Sequence, residues 1–208
     1  MIKQSAAVVA ASMLGFAAQA QDGAWSVYAG ADYVMHEVSI TRVIPPANPE
    51  PIPGNNGRTV REDGDGNSVR VRAGMWLSED FSIEVQGSVD SDGLEGNESA
   101  EIDSYYGVFV NVRAQPFDWL DVLFPVGFAA VDANVAYLDD NGDFQVASMS
   151  EERAAFGMNL QLRLGEMLTD PDSLIAGLGV GLGFMVYSPS GDANVRGYNA
   201  GIQFGLDF

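Results

Sequence analysis

The chain has no cysteine, a single histidine (His36) and a single lysine (Lys3). Without cysteine, neither a disulfide framework nor a thiolate metal site can form. Basic residues are scarce. Beyond Lys3 there are nine arginines against 29 acids, a net charge of −20 for the chain without its first residues. That balance argues against nucleic acid as a partner and against docking onto an anionic surface by charge alone. Long apolar runs are also missing. The one candidate lies within the first twenty residues and is shorter than the roughly 20 residues a membrane helix needs. No phosphate-cradling glycine loop, metalloprotease motif or nucleophile elbow occurs, so no cofactor is expected.

What is present begins with an export signal. Lys3 precedes SAAVVAASMLGFAA, and Ala18 and Ala20 occupy the small-residue positions before Gln21. This pattern predicts a signal peptide over residues 1–20, cleaved after Ala20. Residues 21–208 then form one domain.

That domain is organised around a period of two. In VRGYNAGIQFGLDF, Tyr198, Ala200, Ile202, Phe204, Leu206 and Phe208 share one face, with Gly, Asn, Gln and Asp on the other. Upstream, Leu178, Val180, Leu182, Phe184 and Val186 alternate with Gly177, Gly179, Gly181 and Gly183. Glycine at every second place costs a helix about 1 kcal/mol each relative to alanine, so a strand is predicted. Inward glycines suit a narrow interior crowded by other side chains.

The same alternation marks strands at about 25–40, 68–77, 81–89, 101–114, 119–137 and, least clearly, within 144–165. Pro125 is a candidate bulge. Residues 41–67 are expected to be the longest loop, because their prolines and glycines oppose regular pairing. Residues 90–98 and 138–143 make further polar loops, and 78–80, 115–118 and 166–173 make short turns. Eight strands result, with long connections after odd strands and short ones after even strands. The expected fold is all-β: an eight-stranded antiparallel up-and-down transmembrane β-barrel. Trp25, Phe81, Phe117, Trp119 and Phe208 would form one aromatic girdle, and Tyr33, Tyr137, Tyr187 and Tyr198 the other.

The segments VRAGMWLSEDFSIEVQG, SLIAGLGVGLGFMVY and GIQFGLDF resemble the small eight-stranded outer-membrane barrels: the OmpA transmembrane domain, OmpX and the opacity-type porin-family proteins. The resemblance implies an outer-membrane location, contact with lipid and lipopolysaccharide, and delivery by the barrel-assembly machinery. It implies that Tyr198, Phe204, Leu206 and Phe208 form the terminal signal that machinery reads. The role implied is structural or surface-interacting (adhesion-like), without enzymatic activity. A conduit for small or hydrophobic solutes, as in OmpW-like barrels, is the first alternative, and a lipid A-modifying enzyme the second.

Three groups of residues are candidates for chemistry. Asp32, Arg70, Arg72, Glu84, Asp103, Arg113 and Arg163 fall on the inward parity and are expected to pair as a plug of charges, because an unpaired buried charge is costly. His36 is expected to be a rim histidine, with Glu37 and Ser39 beside it in sequence. Asp63 and Asp65, Asp90 and Asp92, and Asp139 and Asp143 stand in fragments reminiscent of calcium loops, but none completes the twelve-residue spacing. Solvated loop acid, or at most loose Ca²⁺ or Mg²⁺ binding, is the expectation for these.

Overall fold

An alternating chain buries one face only if it finds partners on both edges, and here the strands achieve this by closing on themselves. The computed structural model describes residues 26–44, 58–90, 99–139, 142–168, 177–189 and 193–207. It contains β1 (Ser26–Ile44), β2 (Arg58–Trp76), β3 (Phe81–Asp90), β4 (Ala100–Phe117), β5 (Leu120–Leu138), β6 (Phe144–Arg163), a one-turn helix α1 (Leu164–Leu168), β7 (Leu178–Pro189) and β8 (Ala193–Asp207). Each strand pairs antiparallel with the next, and β8 pairs with β1 from Ser26↔Asp207 to Ile40↔Ala193. The ring is a closed barrel of eight strands. The end carrying the β1–β2, β3–β4, β5–β6 and β7–β8 connections is called the outer end below.

The wall has two zones. In the lower zone the outward face is apolar. Tyr33 and Met35 on β1, Val108 and Val110 on β4, Val126 and Phe128 on β5, Leu160 and Leu162 on β6, and Leu182 on β7 are all exposed. The inward face there is mostly polar, with Asp32, Arg70, Arg72, Ser82, Glu84, Gln86, Asn111, Asn159 and Gln203 buried beside Val34, Phe109 and Leu123. Above Met35 on β1 and Ala130 on β5 the pattern inverts. Glu37, Asp63, Asp65 and Asp103 point outward and are exposed, while Val38, Ile40, Ala100, Ile102, Val131, Ala133, Val135, Met149 and Val195 form a contiguous apolar core inside.

Several expectations need correction. Residues 41–44 and 58–67 are paired strand rather than loop: β1 and β2 run together to Ile44↔Arg58, and Asp63 and Asp65 face Ser39 and Glu37 across that ladder. The glycines there are not breakers, because Gly64 and Gly66 let β4 approach; added side-chain carbons would meet Ser99 and Ala100. Pro125 does not bulge, since Leu123↔Asn159 and Val126↔Phe156 keep one register across it. The irregularities on β4 fall instead at Ile102/Ser104 and Ala114/Phe117. The expected turn at 166–173 begins as α1.

The aromatic girdles are partly as expected. Tyr33 and Tyr198 are exposed toward the outer boundary, and Phe81, Phe117 and Trp119 at the opposite one, where Phe117 and Trp119 stack with centroids 5.2 Å apart. Tyr187 is instead buried in the lumen, and Tyr137 lies on the inward parity beneath Arg42, whose guanidinium carbon is 4.0 Å from its ring centroid. Both belong to strands whose odd positions turn inward. Trp25 and Phe208, like the signal segment, lie outside the described residues.

Candidate functional site

The lumen gathers most of the buried chemistry. Asp32 on β1 faces Arg70 and Arg72 on β2, and Glu84 on β3 is the next acid around the ring. Arg70 donates to Asp32 Oδ2 from Nε at 3.0 Å and from Nη2 at 2.7 Å. Arg72 Nε lies 3.1 Å from the same oxygen, and its Nη1 lies 3.6 Å from Glu84 Oε2. Two acids thus meet two guanidiniums in a neutral cluster, with Arg70 only 1 % exposed. At such burial an unbalanced charge would be strongly destabilising, whereas a matched set with further hydrogen bonds is tolerable.

Neutral side chains complete the set. Arg70 Nη1 donates to Gln86 Oε1 and to Tyr187 Oη, each at 3.3 Å. Tyr105 donates to Gln86 Oε1 and Gln86 donates to Glu84 Oε1, each at 2.5 Å. Turned to satisfy both its ends, the Asn199 amide donates to Gly183 and accepts from Arg70 Nη2, each at 3.2 Å. Lower down, Asn111 Nδ2 donates to Tyr28 Oη at 2.9 Å and to Ser82 Oγ at 3.1 Å. Gly201 and Gly183 make this crowding possible, since side-chain carbons there would collide with Asp32 and Asn159.

Of the seven residues expected to pair, four meet in this way. Arg113 points inward at the lower rim and stacks on Trp76 at 4.3 Å, away from the cluster. Arg163 lies at the end of β6, 4.0 Å from Asp121, a partner that inward parity could have revealed. Asp103 is exposed and accepts from Asn134 at 2.8 Å. The bulge between Ile102 and Ser104 reverses the parity of β4 here, sending Ile102 inward and Asp103 outward. Tyr28, Gln86, Asn111, Tyr105 and Tyr187 are the members missed by attending to charge alone.

His36 is not on the rim surface. It is 4 % exposed inside the lumen, its Nε2 2.6 Å from Ser68 Oγ and its ring 5.9 Å from that of Tyr187. The pair sits where the polar layer meets the apolar core, and it faces away from the outer wall of the barrel.

Three of the six acids expected in loops lie on strands instead. Asp63, on β2, accepts from Ser39 at 2.5 Å and from Arg61 at 2.8 Å; these bonds hold its carboxyl below the ordinary range. Asp90 ends β3 and Asp92 lies outside the described residues. Asp139 Oδ1 accepts from the Asp143 amide at 2.9 Å in a turn closed by Gly142 at φ 83°. Among the described residues no group of three or more His, Cys, Asp or Glu side chains is placed to hold a metal ion.

No protein family and no curated protein matches the sequence. Solved structures do match in shape. OprG from Pseudomonas aeruginosa is 9% identical, with a TM-score of 0.50 over 90% of this chain and 98% of its own. Ail, the attachment invasion locus protein of Yersinia pestis, is 13% identical, with a TM-score of 0.49 over 89% and 100% of the two chains. The Neisserial surface protein A is 11% identical, with a TM-score of 0.47 over 88% and 99%. Together with its closed ring of eight strands, the likeness to OprG gives the chain the fold of the small eight-stranded outer-membrane β-barrels.

Proposed function

We propose that this chain is an integral, non-catalytic protein of the bacterial outer membrane whose lumen is sealed and whose outer sheet meets partners at the cell surface. The filled lumen carries this reading. Arg70, Tyr187, Phe109, Leu123 and Glu84 are each less than 2 % exposed, and eight strands leave an interior just wide enough for such side chains. Such packing argues against a continuous water column for solutes. The apolar belt of the lower zone supports membrane insertion, because a spanning barrel must show lipid an apolar face and satisfy its backbone by closure. The His36–Ser68 pair is enclosed in the lumen, so it gives a lipid-modifying reaction no access to lipid. On the same reading Tyr198, Phe204, Leu206 and Phe208 form the terminal signal for the barrel-assembly machinery, and lipid and lipopolysaccharide surround the belt.

Planar-bilayer recording tests the sealed lumen. Purified refolded protein is expected to give no stable large conductance, only rare small events. A steady porin-sized current would overturn the reading in favour of a solute conduit.

A further inference from the structure

His36 stands at the level where the matched charges end and the apolar core begins. The outward residues at this height, Glu37 and its β8 partner Arg196, are charged and exposed, so the ring lies above the apolar belt. Both residues paired with His36 are glycines, Gly66 on β2 and Gly197 on β8. The imidazole fills the room they leave. A side-chain carbon at Gly197 would lie 3.2 Å from its Nδ1 and 3.0 Å from the Tyr187 ring. Tyr187 in turn accepts from Arg70 at 3.3 Å, so one side chain joins the seat of His36 to the charge network below.

The two ring nitrogens differ. Nε2 has Ser68 Oγ at 2.6 Å, whereas Nδ1 is buried without a hydrogen-bond partner. A buried N–H without an acceptor forfeits its hydration, so the neutral ring carries its proton on Nε2 and donates to Ser68. A second proton can then sit only on Nδ1, against Gly197, where no acceptor waits. Nor does a free carboxylate face the ring. On β1 its inward neighbours are Val34 and Val38, and Asp32 below them is already held by Arg70 and Arg72. β2 presents Ser68 and the Arg70 cation, β7 presents Tyr187, β4 presents Tyr105 against Tyr187, and β8 presents Val195, Gly197 and Asn199. Burial first, and the Arg70 charge second, lower the histidine pKa to about 4.

We propose that His36 is an acid-operated latch: a solvent proton taken up at Nδ1 drives the ring from its seat between Gly66 and Gly197 and uncouples the outer apolar core from the charge network below. The ring is only 4 % exposed, so the proton arrives when the seat opens, and the protonated and opened states are one. The sign follows from the two states. The opened or unfolded chain has an ordinary imidazole, with a pKa of about 6.5, and the closed barrel has a lower one. The stability this group allows is complete above about pH 6.5 and is lost as pH falls toward about 4.

The chain has one histidine, so nitrogen NMR of histidine-labelled barrel in lipid nanodiscs reads this ring alone. The Nε2–H tautomer is expected at neutral pH, with titration only well below the ordinary range. Urea titration in vesicles supplies the second readout. From about pH 7 to about pH 5 the folding equilibrium constant should fall on the order of tenfold further in the native protein than in His36→Gln, because all other titrating groups are shared. Over the same range the exchange protection factors of the Val195 and Gly197 amides, corrected for the intrinsic pH dependence, should fall more in the native protein than in the variant. A ring that titrates near the ordinary value, or a variant as acid-sensitive as the native protein, would overturn the proposal. Should His36→Gln fail to fold, the tautomer and titration of the native ring decide it alone.

Discussion

Below about Ala130 the barrel is built inside out, and above it the right way round. In the lower zone Val126 and Phe128 face outward while Asp32 and Arg70 are buried; in the outer zone Asp63 and Asp103 face outward while Val131 and Val135 are buried. One continuous β5 carries both arrangements without a break in its register to β6. The backbone alternation is the same throughout, so the difference lies in what each face must meet. Against lipid, an apolar exterior is favourable and a polar interior must satisfy itself. Against water, the apolar core moves inside and the acids outside, as in a soluble sandwich. On the proposed reading the two zones seal the lumen by different means, a matched charge network below and an apolar core above.

The largest effect should come from unbalancing the lower zone. Asp32→Ala would leave Arg70 and Arg72 sharing only Glu84 and neutral acceptors, at a cost of about 3–5 kcal/mol. The urea midpoint of refolded protein in vesicles should fall accordingly. An unchanged midpoint would mean that water reaches the cluster. Next, the exteriors should respond in opposite ways. Val126→Arg on the apolar belt should cost about 2–4 kcal/mol, whereas Ser148→Arg on the exposed outer wall should stay within about 0.5 kcal/mol. Similar costs at both sites would erase the proposed boundary between them.

A smaller effect concerns the first hairpin. Replacing residues 45–57 by a short Gly/Asn turn should leave the folded gel band intact, because loop-closure entropy varies weakly with length. Extending the deletion to 41–44 and 58–67 should lower stability, since those residues are paired and carry Arg42, which donates to Glu62 at 2.8 Å. The smallest effect is a pH response of the outer wall. Asp132 accepts from Ser150 and Ser104, which together hold its carboxyl below the ordinary range. Its contribution should be complete near neutrality and lost only as pH falls through that lowered value. Carbon NMR of the carboxylate should show the titration moving upward in Ser150→Ala.

Which parts of this were legible in the sequence follows from the physics of alternation. Strand number, hairpin order and the inward places of Asp32, Arg70, Arg72 and Glu84 follow from parity, which is local. Asp103 was misplaced because one bulge at Ile102/Ser104 reverses parity, and no proline or glycine marks it. Residues 41–44 and 58–67 were misread because their polar outward face and glycines look like a loop when lipid is the assumed surroundings. Tyr187 and Tyr137 were assigned to a girdle by height, although their parity pointed inward.

The inversion and the sealed lumen can be tested together by spin labels placed singly at positions 120–138 along β5 in lipid vesicles. The account predicts that even positions to 130 relax with oxygen, a lipid-soluble reagent. Even positions from 132 should relax with a water-soluble nickel chelate, and odd positions with neither. Strong nickel relaxation at odd positions from 121 to 137 would mean a water-filled channel, and oxygen relaxation persisting at 132–138 would mean there is no change of surroundings along the wall; either would contradict it.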